Sequence, residues 1–94
     1  ASHANAMADR LGAGFASLNS ARLAWSTTAN EVFAILPKAS ADAAMEKGAK
    51  FYDWLVPRDM PEKVGEGEML IRMVTSFATT EADVDEFLSI CSAA

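Results

Sequence analysis

The chain has 94 residues, 51% of them hydrophobic, with 8 lysines and arginines against 13 acidic residues and a net charge of −5. That length holds one domain that buries about 60 to 65% of its unfolded surface, and the acidic balance with scattered basic residues excludes a surface built for nucleic-acid phosphates. No stretch reaches the roughly 20 apolar residues that span a bilayer, no basic-then-apolar leader opens the chain, and one cysteine with one histidine, Cys91 and His3, excludes a closed Cys/His zinc cluster.

Met7, Leu11, Phe15 and Leu18, joined by Ala4 and Ala8, recur on one helical stripe while Asn5, Asp9 and Arg10 face elsewhere. The spacing predicts an amphipathic helix over Ser2 to Leu18. Gly12 and Gly14 weaken it, and close packing against a neighbour is the expected reason. The chain does not open with methionine and helical periodicity begins almost at once, which predicts a processed, tagged or excised piece. Arg22 to Trp25 reads as a short strand, followed by a polar bend and a second strand from Asn30 to Leu36, closed by Pro37. So short a return is antiparallel, because a parallel one needs a crossover. Val32, Ala34 and Leu36 share one face of the second strand, and Phe33 and Ile35 the other.

Ser40 is the expected N-cap of a short helix from Ala41 to Lys47, with Gly48 just past its end. Phe51 to Val56 follows as an aromatic-rich third strand, and Pro57 to Gly67, with two prolines and two glycines, as an exposed loop. The fourth strand, Glu68 to Thr75, is apolar on both sides except for Arg72 in its middle. Leu70, Arg72 and Val74 share one face; Met69, Ile71, Met73 and Thr75 share the other. Thr80-Glu-Ala-Asp83 resembles a capping box, and Val84, Phe87, Leu88 and Cys91 give the stripe of a closing helix. The order α-β-β-α-β-β-α predicts an α+β domain: a two-layer sandwich with a mainly antiparallel four-stranded sheet and helices on one face. Strands apolar on both sides leave the other face short of cover, as at the edge of a larger protein.

Arg72 is the candidate site residue. A guanidinium among apolar neighbours needs an anionic partner, and its planar fork matches a carboxylate or phosphate at two points. The alternative is an internal ion pair with Glu31 or Glu68. His3 reads as a surface or packing residue, Trp25, Tyr52 and Trp54 as core or interface aromatics, and Cys91 as a small buried hydrophobe of a reducing, cytoplasmic compartment. No nucleophile–base pair, glycine-rich phosphate loop or metal-spaced carboxylate cluster appears, so no catalytic, cofactor-binding or metal residue is assigned.

The segments SHANAMADRL, RLAWSTTANEVFAILP, KGAKFYDW and GEGEMLIRMVTSFATTEADVDEFL, in that order, resemble the C-terminal small domain of low-specificity L-threonine aldolases, in the β-eliminating lyase group of fold-type I enzymes that use pyridoxal 5′-phosphate (PLP). The resemblance implies a parent enzyme that cleaves β-hydroxy-α-amino acids to glycine and an aldehyde, with Arg72 binding the substrate's α-carboxylate. It also implies a large domain, outside these residues, that holds the PLP, the lysine bound to it and the general base. The parent is then expected to be a homo-oligomer and the 94 residues inactive by themselves, with no PLP bound. Asn30 lies in a family-like stretch without an assigned role. Ser76 stands where some branches carry histidine, which leaves branch and stereochemistry open. Two alternatives remain: a free-standing regulatory module that binds an amino acid at Arg72, and the small domain of another PLP lyase or aminotransferase.

Overall fold

The central feature of the computed structural model, which describes residues 2–54, 56 and 63–93, is a pair of long antiparallel strands with shorter ones outside them. In chain order the elements are α1 (Ser2–Ser17), β1 (Arg22–Leu23), β2 (Glu31–Pro37), α2 (Lys38–Glu46), β3 (Tyr52–Asp53), β4 (Glu68–Val74) and α3 (Glu81–Ala93). The sheet order is β1-β2-β4-β3, with every pairing antiparallel. The two strands expected in the sheet interior are therefore its central pair.

Strand alternation sorts the side chains into two layers. Val32, Ala34 and Leu36 from β2 and Ile71 from β4 meet Met7, Leu11 and Phe15 of α1, Ala41 and Ala44 of α2, and Val84, Phe87 and Cys91 of α3 in one core. All three helices thus cover one sheet face, giving the two-layer α+β architecture. Phe87 receives Phe15 and Phe51 edge-on, with centroids 5.8 and 6.0 Å away. Gly14 permits the close approach of α1 to α3: a Cβ there would run into the methyls of Leu88. Asp83 and Thr80 exchange side-chain bonds with each other's backbone N–H at 3.0 Å, closing the expected capping box.

Two boundaries differ from expectation for identifiable reasons. Ser40 is not an N-cap. The helix begins at Lys38, directly behind Pro37, whose fixed φ of −59° ends the strand and leads into the helix. Lys38 N–H still bonds Gly67 O at 2.8 Å, so ladder and helix abut without a loop. Ser40 is then carried inward, fully buried, and its hydroxyl donates to Cys91 O of α3. Gly48 does take the residue past the helix end, with φ at +93°. The outer strands are also shorter than expected, β1 ending at Leu23 and β3 covering two residues, although Trp54 N–H still reaches Leu70 O at 3.0 Å. Parts of the third strand and of the loop expected from Pro57 to Gly67, namely 55 and 57–62, lie outside the described residues.

Candidate functional site

The sheet face away from the helices carries Glu31, Phe33 and Ile35 from β2 and Leu70, Arg72 and Val74 from β4. Register adds the third contribution, because Tyr52 of β3 sits directly across from Arg72, which also pairs with Phe33 on its other side. Ile35, Leu70 and Ala24 are buried there with Phe33 under Trp25 and Val64, forming a small second core that no helix covers among the described residues. Phe33 lies 4.5 Å from the Trp25 ring and 5.5 Å from the Trp54 ring. Tyr52, Trp54, Val56 and Val74 remain exposed.

Arg72 stands in this setting with 26% of its side chain exposed. Its Nε donates to Glu31 Oε2 at 3.3 Å, and its guanidinium carbon lies 5.5 Å from the Tyr52 ring centroid and 5.2 Å from that of Trp54. Both distances fall within cation–π range. The two terminal nitrogens have no hydrogen-bond partner among the described residues. The internal ion pair weighed from sequence therefore exists with Glu31, but it occupies one edge of the guanidinium and leaves the two-pronged end open to a carboxylate or phosphate. Glu68, the other acid weighed, is taken by Arg22 instead.

The aromatics expected to be core or interface divide accordingly. Trp25 closes the second core, while Tyr52 and Trp54 frame the arginine. That framing is not visible locally in sequence, because it depends on how β3 registers against β4; the alternation Tyr52-x-Trp54 was its one signal. Other weighed residues lie apart from Arg72. His3 Nε2–H donates to Thr79 O at 2.6 Å, tying α1 to the turn before α3. Asn30 donates to Thr75 O at 2.9 Å and so fastens the end of β4. Burial pushes the Cys91 thiol up to about 11, which keeps it protonated at neutral pH and unsuited to act as a nucleophile.

Among the described residues no group of three His, Cys, Asp or Glu side chains could hold a metal ion, and no helix is long and apolar enough to cross a membrane. A cleft of about 470 Å³ opens on the helix layer between Lys47, Lys50, Met73, Thr79, Asp83 and Phe87, and Arg72 does not line it. The uncovered face carries the better chemistry, because an open guanidinium framed by rings is a specific acceptor of anions, whereas the cleft mixes both charge signs on exposed, flexible stems.

Fold and face together define a two-layer α+β module that presents an arginine fork on an uncovered aromatic sheet surface. Comparison with solved structures adds a particular likeness: threonine aldolase from Leishmania major matches 97% of this chain at 28% identity and a TM-score of 0.73. The match occupies 24% of that protein, so the chain spans about a quarter of its length. The chain has the fold of one part of a threonine aldolase-like protein. No protein-family model and no curated protein matches it.

Proposed function

We propose that the chain is the C-terminal small domain of a PLP-dependent threonine aldolase, and that Arg72 grips the α-carboxylate of a β-hydroxy-α-amino acid that the parent enzyme cleaves to glycine and an aldehyde. The observation that carries this reading is the open end of the Arg72 guanidinium on a half-apolar face that no helix covers. Such a face is what a second domain would close, and closing it would exclude water around the ion pair and strengthen it. The likeness to a quarter of the Leishmania enzyme supports the same arrangement.

The residues of this chain fit the acid end of a substrate and do not fit the cofactor. None of the strands facing the open side contains a lysine that could bind the cofactor. In this reading PLP is held by a large domain outside the 94 residues, and Arg72 serves orientation. A two-point grip on the carboxylate fixes the rotation of the amino acid about its α-carbon, which decides which bond is presented for cleavage.

The test is the full coding chain. Expressed with PLP and offered threonine or phenylserine, it is expected to release glycine and the matching aldehyde; a chain with neither a lysine-bearing PLP domain nor this activity sinks the reading. The open end of Arg72 also favours a second reading, a free-standing module that binds amino acids. Calorimetric binding of threonine or glycine to the isolated 94 residues would favour that reading instead.

A further inference from the structure

An arginine that must present one edge to a ligand has to be prevented from rotating, because its long side chain otherwise samples many orientations of the fork. The surroundings of Arg72 restrict it from several directions. Glu31 begins β2 two residues before Phe33, the direct cross-strand partner of Arg72, so it is a diagonal neighbour on the same face. From there its carboxylate takes the Nε–H at 3.3 Å. On the opposite side Tyr52 is the other cross-strand partner and Trp54 lies two residues on, and both rings approach the guanidinium. With the Nε edge held and the rings as walls, the edge left over is the pair of terminal nitrogens.

We propose that Glu31 is a positioning residue: it holds Arg72 by Nε so that a ligand carboxylate docks end-on, one oxygen on each terminal nitrogen, between Tyr52 and Trp54. This rests on the carboxylate reading of Arg72 and deepens it by assigning the docking edge and the residue that sets it. The design carries an internal tension. Glu31 is itself an anion close to where the ligand's anion arrives, so its charge opposes binding while its hydrogen bond favours it. The two contributions separate by substitution, since glutamine keeps an oxygen for Nε and drops the charge, whereas alanine removes both.

In the full-length enzyme, Glu31→Ala is expected to raise KM for the amino acid about 5- to 20-fold, with Glu31→Gln at or below the wild-type KM. Glu31 is half-exposed, so both variants should fold, and melting temperatures within a few degrees of wild type check this. A charge that merely repels the ligand predicts that both variants lower KM or leave it alone, and that result overturns the proposal. A KM raised equally by both also overturns it, because the hydrogen bond retained by glutamine would then count for nothing. Arg72→Ala supplies the reference. If it raises KM strongly while Glu31→Ala does not, the positioning role fails and the carboxylate reading stands; if Arg72→Ala leaves KM unchanged, both fail.

Discussion

Two arginine–glutamate pairs mark the two ends of the uncovered sheet face, and they are built differently. Arg22 of β1 meets Glu68 of β4 at two points, 2.8 and 3.0 Å, and also donates to the Lys63 carbonyl. Glu68 in turn accepts the Gly65 N–H at 2.8 Å, so the pair fastens the segment entering β4 to the sheet edge. Arg72 meets Glu31 at a single point, and its paired nitrogens have no hydrogen-bond partner among the described residues. One fork is closed on its own module and the other is held open by a sideways contact. On the proposed reading the difference separates an arginine that serves the fold from one available to a ligand, although both lie on strands and both have an acid within reach.

The largest effect expected from this contrast is on binding. Replacing Arg72 with lysine keeps the charge and removes the fork, so on the proposed reading KM of the full-length protein for the amino acid should rise about 10- to 100-fold while stability changes by less than about 0.5 kcal/mol. An unchanged KM would remove Arg72 from the site and dissolve the contrast. Arg22→Ala is expected to behave in the opposite manner. It should cost about 1 kcal/mol of unfolding free energy in a urea titration, because a two-point charged pair at a partly exposed site is lost, with KM within about twofold of wild type. A large KM effect from Arg22 together with none on stability would mean that the two ends have been assigned the wrong way round.

Much of this organisation was legible in the chain. The stripe Met7-Leu11-Phe15 placed the first helix to within a residue of its end at Ser17, and Val84-Phe87-Cys91 marked the last helix, because 3.6-residue periodicity is local and strong. The alternation in β2 and β4 correctly divided Arg72 from Ile71 and Phe33 from Ala34. Ser40 misled, because its capping preference is a local property that Pro37 overrode by supplying the helix start itself. The company of Arg72 was only partly legible. Glu31 could be named as a candidate acid, yet that it would take the Nε edge, and that Tyr52 and Trp54 would stand on the other side, follows from registers across a 41-residue separation and across β3 to β4, which sequence spacing does not encode.

The smallest effect expected concerns acid, and it sharpens the account of the closed pair. Bonding to Arg22, and then to the Gly65 N–H, holds the Glu68 carboxyl below the usual carboxylate range. Its folded pKa is thus lower than its unfolded one, so in the window between them the unfolded chain binds more protons and stability rises with pH. The contribution is complete above the unfolded value and is lost as pH falls through the folded one. Glu68→Gln should therefore lower stability at pH 7 by a few tenths to about 1 kcal/mol and flatten the decline between pH 7 and pH 3. It should not abolish that decline, because Asp85, held low by its bond to Arg10, titrates in the same direction on the helix layer. Urea midpoints at the two pH values read this directly. A variant whose midpoint falls as steeply as that of the wild type would mean that the bonds joining Arg22, Glu68 and Gly65 contribute nothing net to the folded state, and that the closed fork is as dispensable to the fold as the open one.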